Sequence, residues 1–257
     1  MRKAIYIIGI TTLLAACSHI ADDEQLIYVA PETAKRTVLL EDFTGQRCVN
    51  CPLGTEVIEQ LQEAYGDNII AVGIHGGPLG FAGNNTAIGL ATEVGDLYYN
   101  YWKLEYQPVG LIDRHGAVNY TDWIAQVKEE LARQSSIDIK LEAHYLSNGD
   151  ISINVDTKAI STAYNGHLQV WVLEDGITAM QKMPDGSTNP NYIHNHVFRK
   201  AVNGTWGEAI SLNAGEQKTQ QLTQAVSNNW NKQQLSIVAF VYNDNGVEQA
   251  AKTAITQ

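Results

Sequence analysis

The stretch Val38-Leu39-Leu40-Glu41-Asp42-Phe43-Thr44-Gly45-Gln46-Arg47-Cys48-Val49-Asn50-Cys51-Pro52 decides how the chain is read. Val38 to Phe43 is short and mostly apolar, which predicts a buried strand. Pro52 stands where a helix starts, and Val57, Ile58, Leu61, Ala64 and Tyr65 recur at helical spacing up to Gly66. Cys48 and Cys51 therefore lie between a strand and a helix N-terminus. Thiol–disulfide exchange needs a thiolate nucleophile and a second thiol close enough to resolve the mixed disulfide. Free N–H groups and the helix macrodipole favour a thiolate at Cys48, Arg47 adds a positive field, and Cys51 follows one turn on. Two other readings stay open. A disulfide staple in so small a ring contributes only about 2 kcal/mol. A zinc site needs further ligands from distant histidines, among them His75, His194 or His196.

Working outward, Asn68 to His75 predicts a second strand, followed by a loop through Gly76, Gly77, Pro78, Gly80 and Gly83. Thr86 to Lys103 predicts a helix with Gly89 and Gly95 inside it. Val109 to Asp113 predicts a third strand and Ala117 to Tyr120 its hairpin partner. A helix capped by Thr121 or Asp122 then runs to Gln134, with Ile124, Val127 and Leu131 on its apolar face. After Ser135 alternation takes over. Ile137, Ile139, Leu141 and Ile151, Ile153, Val155 flank a turn at Asn148-Gly149. Further strands are predicted near 167–173, 193–202, 208–212, 219–226, 235–242 and 247–255, a spacing that suggests an antiparallel sandwich.

The order strand, C-x-x-C, helix, strand, helix, Pro, hairpin, helix over residues 37–134 resembles thioredoxin. The resemblance implies that Cys48 is the nucleophile and Cys51 the resolving thiol. It implies that Asp42 is a buried acid that helps deprotonate the resolving cysteine. It also implies that Pro108, preceded by Gln107, is a cis-proline that faces the pair and binds substrate backbone. Arg47 replaces the usual Trp, and Pro52 follows the second cysteine instead of lying between the two. Read from the residues alone, Asp42 is equally a solvated strand-end acid, and His75 is a loop histidine. His194 and His196 alternate in Tyr192-Ile193-His194-Asn195-His196-Val197, so they share one face of a strand. That face reads as the polar side of a sandwich rather than a metal site.

The N-terminus reads as an address. Arg2 and Lys3 precede an apolar stretch, Ala4 to Ala16, that is too short to span a bilayer at about 20 residues and ends Leu14-Ala15-Ala16-Cys17. It resembles a bacterial lipobox, which implies removal of residues 1–16 and acylation of Cys17. Ser18 after the cysteine implies the outer membrane, and Asp22-Asp23-Glu24 resembles an acidic surface-export signal or is a solvated tether. Residues 18–36 are polar without sustained periodicity, a tether. Among the 257 residues, 17 Lys+Arg stand against 28 Asp+Glu, for a net charge of −11. Nucleic-acid binding needs clustered basic residues, so no nucleic-acid partner is expected.

The lipobox, Glu41-Asp42-Phe43-Thr44-Gly45, Cys48-Val49-Asn50-Cys51-Pro52 and Tyr192-Ile193-His194-Asn195-His196-Val197 together resemble the outer membrane protein 28-related lipoproteins of the Bacteroidetes. The resemblance implies an outer-membrane lipoprotein, facing the periplasm or the cell surface, with adhesin-like functions suggested. The expected architecture is α/β plus all-β: signal peptide 1–16, acylated Cys17 with a flexible tether to 36, a thioredoxin-like domain 37–135, and an immunoglobulin-like antiparallel β-sandwich 136–257. The expected function is thiol–disulfide exchange on exported proteins, carried by Cys48, Cys51 and Asp42. Pro108, Gln107 and Arg47 hold the polypeptide, and Cys17 binds the bilayer. No metal or organic cofactor is expected beyond a redox partner. The rival is a binding protein or adhesin that takes a surface ligand on the sandwich, with the cysteine pair only structural. A sugar-binding sandwich is a third reading of Trp171, Trp206 and Trp230, whose simpler role is core packing.

Overall fold

Val38–Thr44 and Ile69–His75 are buried at every position, with no alternation, so both faces of each strand must be covered. The computed structural model, which describes residues 32–257, places them at the centre of a large sheet. Along the chain, β1 is Ala34–Lys35, β2 Val38–Thr44, α1 Cys51–Tyr65, β3 Ile69–His75, α2 Glu93–Tyr101, β4 Val109–Ile112, β5 Ala117–Asn119, α3 Trp123–Leu131 and β6 Gln134–Ser135. Strands and turns follow: β7 Ile137–Tyr145, β8 Ile151–Ala159, β9 Tyr164–Glu174, β10 Ile177–Lys182, β11 Thr188–His194, β12 Val197–Ala201, β13 Glu208–Leu212, β14 Gln217–Gln224, β15 Leu235–Asn243 and β16 Gly246–Ala254.

One nine-stranded sheet has the order β16-β15-β9-β12-β3-β2-β4-β5, with β13 attached to β9, and it does not close into a barrel. β2 and β3 are parallel and joined through α1, while β4 and β5 continue antiparallel. β12 joins β3 by a single parallel pairing, Val197 opposite Gly73. A separate three-stranded sheet has the order β14-β8-β7, and β10 and β11 form a hairpin of their own.

Three cores explain this layering. α1 and α3 cover one face of the first strands with Ile58, Leu61, Trp123 and Val127 against Val38, Leu40, Ile69 and Ile112. Gly110 of β4 makes this possible, because a Cβ there would lie 2.4 Å from Trp123 Nε1. On the other face, Tyr98 of α2 packs in one cluster with Leu39, Phe43, Val72, Trp171, Phe198 and Phe240. The third core fills the space between the two sheets with Ile137, Ile151, Ile153, Val155, Val170, Val172 and Ile237. Both the nine-stranded sheet and the second core cross residue 135, and residues 32–257 form one compact unit.

Several expectations are corrected. The tether does not reach residue 36: β1 pairs with β6, and Arg36 is buried, with its guanidinium 2.8 Å from Asp113 and 3.1 Å from Glu130. The helix expected over 86–103 is confined to Glu93–Tyr101. Thr92 caps it by accepting from Gly95 N, and Gly89 lies in a loop so tight that a Cβ would meet the backbone of Ala82 and Gly83 at 2.0 Å. α3 stops at Leu131, because Gln134 and Ser135 are taken into β6, and its buried face is Trp123 and Val127 while Ile124 is exposed. The strand expected over 193–202 breaks at Asn195-His196, where His196 has φ 54°.

Candidate functional site

The loop from β2 into α1 carries the cysteines. Gly45 opens it, and a Cβ there would sit 2.3 Å from Leu79 O, so only glycine lets the Gly-rich loop close on this turn. Cys48 N donates to Gly45 O at 3.0 Å, and Arg47 N donates to Leu79 O at 3.1 Å. Cys48 and Cys51 are disulfide-bonded, with Cα atoms 5.4 Å apart. α1 begins at Cys51 itself, with Pro52 in its first turn, so Cys48 lies in the turn that precedes the helix.

The pair is covered. Cys48 is 1% and Cys51 2% exposed. Gln181 of β10 is buried and donates from Nε2 to Cys48 O at 2.8 Å and to Gly45 O at 3.2 Å. Lys182 N donates to Gln46 O at 2.9 Å. Gln46 returns the clamp, with Nε2 donating to Met180 O and Ile88 O and Oε1 accepting from Leu90 N. The β10–β11 hairpin was absent from the sequence-based expectations, although its turn signal, Pro184-Asp185-Gly186-Ser187, was present. Gly186 takes φ 83° there, and Ser187 N donates to Asp185 Oδ1.

A small cavity of about 30 Å³ lies behind Cys51, lined by Asp42, Thr44, His75, Gln181, Tyr192 and His194. At roughly 10–15 Å³ per water it has room for about two. Asp42 projects from β2 with its Oδ1 unpaired, and burial pushes its carboxyl up to about 8. His75, at the end of β3, is buried rather than a loop residue, and its ring lies 5.3 Å from that of His194. Burial, then the neighbouring His194 and Arg199, hold His75 well below the ordinary imidazole range, and burial lowers His194 to about 4. At neutral pH the site therefore holds a protonated carboxyl and two neutral imidazoles.

The remaining expected residues fall as follows. The Gln107–Pro108 peptide is cis, and Pro108 packs on α1, where a Cβ on Gly54 would be 3.3 Å from its own Cβ. The Gln107 side chain is taken up internally: Nε2 donates to Thr44 O and Gly76 O, and Oε1 accepts from Leu79 N, so its amide is not free for a substrate. Arg47 is exposed, and its guanidinium lies over the Phe81 ring at 4.9 Å. His194 and His196 do not share a strand face, since His196 sits in the break with Nδ1 3.2 Å from Asp175. Among the described residues no three His, Cys, Asp or Glu side chains are grouped to hold a metal ion, and no helix is long and apolar enough to cross a membrane. Cys17 and Asp22 to Glu24 lie outside the described residues.

The family model described as outer membrane protein Omp28 matches residues 95–257. No curated protein sequence gives a significant match. Among solved structures, HBP35 of Porphyromonas gingivalis aligns with a TM-score of 0.67 at 14% identity, over 87% of this chain and 77% of its own. Protein AGR_C_4864 from Agrobacterium tumefaciens aligns with a TM-score of 0.52 at 14% identity, over 87% of this chain and 95% of its own. A domain of the outer membrane lipoprotein Omp28 from Porphyromonas gingivalis shares 29% identity over 48% of this chain and 89% of its own, with a TM-score of 0.37.

Proposed function

This chain belongs to the outer membrane protein Omp28 family, a family of outer-membrane lipoproteins, and from that premise we propose that it is a lipid-anchored thiol–disulfide exchange protein acting on exported polypeptides. Acylated Cys17 holds it to the bilayer. Residues 37–135 form a thioredoxin-like module, a reading supported by the parallel β2–α1–β3 unit followed by the antiparallel β4–β5 pair and α3. Residues 136–257 form an immunoglobulin-like sandwich fused to it through β12.

In the oxidised form a substrate thiolate attacks Cys48 Sγ and the Cys48–Cys51 bond breaks. Cys51 leaves as a thiolate and takes up a proton. A second substrate thiolate then attacks the substrate sulfur of the mixed disulfide and releases Cys48. The substrate gives up two electrons and gains a disulfide, and the pair becomes a dithiol; the reverse sequence reduces a substrate. A dithiol or disulfide redox partner resets the pair. Asp42 supplies the Cys51 proton and takes it back, Pro108 and the backbone at Gln107 hold the polypeptide, and Arg47 lies on the rim.

One observation carries this reading: a buried carboxyl with an unpaired oxygen, in a cavity that reaches Cys51. The test is titration of the full chain in detergent against glutathione, with trapping of the mixed disulfide. A potential between about −270 and −120 mV, with trapping lost in Cys48→Ser, is expected. A potential below about −300 mV, or trapping that survives in Cys48→Ser, overturns it.

The second reading, a non-enzymatic binding protein or adhesin with a structural cysteine pair, is favoured by the hairpin that buries Cys48. It expects the low potential in the same titration.

A further inference from the structure

A second pocket, of about 410 Å³, shares no residue with the cysteine cavity. Its walls are aromatic. Tyr101, at the end of α2, is 60% exposed, and its ring touches that of Trp206 at 4.3 Å. Tyr242 of β15 stacks on His167 of β9, with ring centroids 5.4 Å apart. Arg114 is buried and packs over Tyr242 at 4.3 Å and Trp102 at 5.8 Å. Its Nε and Nη2 are held by Glu41, each at 3.0 Å, which neutralises the guanidinium. Arg114 Nη1 and Trp102 Nε1, both buried, have no hydrogen-bond partner among the described residues.

The Tyr242 hydroxyl is already engaged, since its Oη donates to the backbone O of Trp206 at 2.6 Å. Three features narrow the ligand. First, the walls are largely aromatic, from Tyr101, Trp206, Tyr242 and His167, and aromatic faces suit a ligand that presents C–H groups. Second, the buried donors have almost no accessible surface, so the charged group that a ligand can reach is the exposed Asp244 carboxylate, an acceptor for hydroxyls. Third, the Glu41–Arg114 pair cancels and exposed Asp244 lines the same pocket, which disfavours an anion and offers an acceptor to a ligand hydroxyl. A neutral, non-planar ring bearing hydroxyls on its edge and C–H groups on its face meets all three. The volume lies in the range of small-molecule sites, about 300–1,000 Å³.

We propose that this pocket, walled by Tyr101, Trp206 and Tyr242 with Arg114 at its base, binds a neutral saccharide of one or two units. Of the three tryptophans that the sequence offered for such a role, only Trp206 reaches the pocket, while Trp171 is wholly buried. The proposal is independent of the cysteine reading.

The test uses the full chain in a detergent without a sugar headgroup. Saturation-transfer NMR is recorded against glucose, galactose, mannose, N-acetylglucosamine and their disaccharides, with benzoate and indole as planar probes. At least one sugar is expected to bind, and Tyr101→Ala is expected to weaken it about tenfold or more with an unchanged melting temperature, because that ring is mostly exposed. His167→Ala, a second exposed member, is expected to weaken it less. Absence of transfer to every sugar, sugar binding left unchanged in both variants, or benzoate or indole bound in place of sugars overturns the proposal.

Discussion

Glu41 and Asp42 are neighbours on β2, both acids, both buried, and they point to opposite faces of the sheet. Their circumstances differ completely. Glu41 receives two hydrogen bonds from Arg114, whose guanidinium is in turn packed among Trp171, Phe240 and Tyr242. Asp42 faces the cavity behind Cys51, and its Oδ1 meets no donor. A buried carboxylate must be paired or give up its charge. Glu41 takes the first course and Asp42 the second, with its carboxyl pushed up to about 8. One face of the strand is thus built for permanence, and the other keeps a proton that can move at physiological pH.

The largest expected effect comes from breaking the paired side. Arg114→Met leaves Glu41 buried without its cation and is expected to cost about 3–5 kcal/mol in chemical denaturation. The double change Glu41→Gln with Arg114→Met is expected to recover most of that loss. If the double variant is no more stable than the single, the ion pair is not what holds this face.

The next effect sharpens the unpaired side. The folded-state pKa of Asp42 lies above its ordinary value, so its burial costs nothing below about pH 4, and stability falls as pH rises from there to about 8. Asp42→Asn removes that slope. Its stability advantage over wild type is expected to grow by roughly 1 kcal/mol per pH unit across this window, read from urea midpoints at pH 5, 6, 7 and 8. A constant difference would mean that the carboxyl is ionised in the folded protein.

The smallest effect tests what covers the cysteine pair. Gln181→Ala removes the donor that ties β10 to Cys48 O and Gly45 O. A stability loss of about 1–2 kcal/mol is expected, with reduction of the disulfide by dithiothreitol about tenfold faster. An unchanged reduction rate would show that the hairpin does not control access to the pair.

Much of this was legible before the structure. The short, mostly apolar runs of β2 and β3, the Asn148-Gly149 hairpin and the alternation in β7 and β8 are each local signals, and each folds as read. The sequence singles out the C-x-x-C pair and Asp42, and Cys51 and Asp42 line one cavity. What the sequence hid is long-range. Arg36 looks like part of a polar tether until Asp113 and Glu130 arrive to pair with it. Gln46 and Gln181 carry no motif; their importance comes from carbonyls far along the chain. Asp113 and Arg114 adopt φ 46° and 63°, a left-handed backbone that non-glycine residues rarely take, and each is held in a buried ion pair. His75 and His194 became partners only because the β10–β11 hairpin folds back over the first strands.

The clamp on Cys48 joins residues 133 positions apart. A chain delivered across a membrane from its N-terminus presents both thiols long before Gln181 has arrived, and closing so long a loop is among the later events of folding. The cysteine pair therefore has two lives. While the chain emerges, its sulfurs are open to whatever oxidant the compartment supplies. Once the sheet has assembled, chemistry at Cys48 must wait for a local opening of the hairpin, so its pace is set by that motion rather than by sulfur reactivity alone.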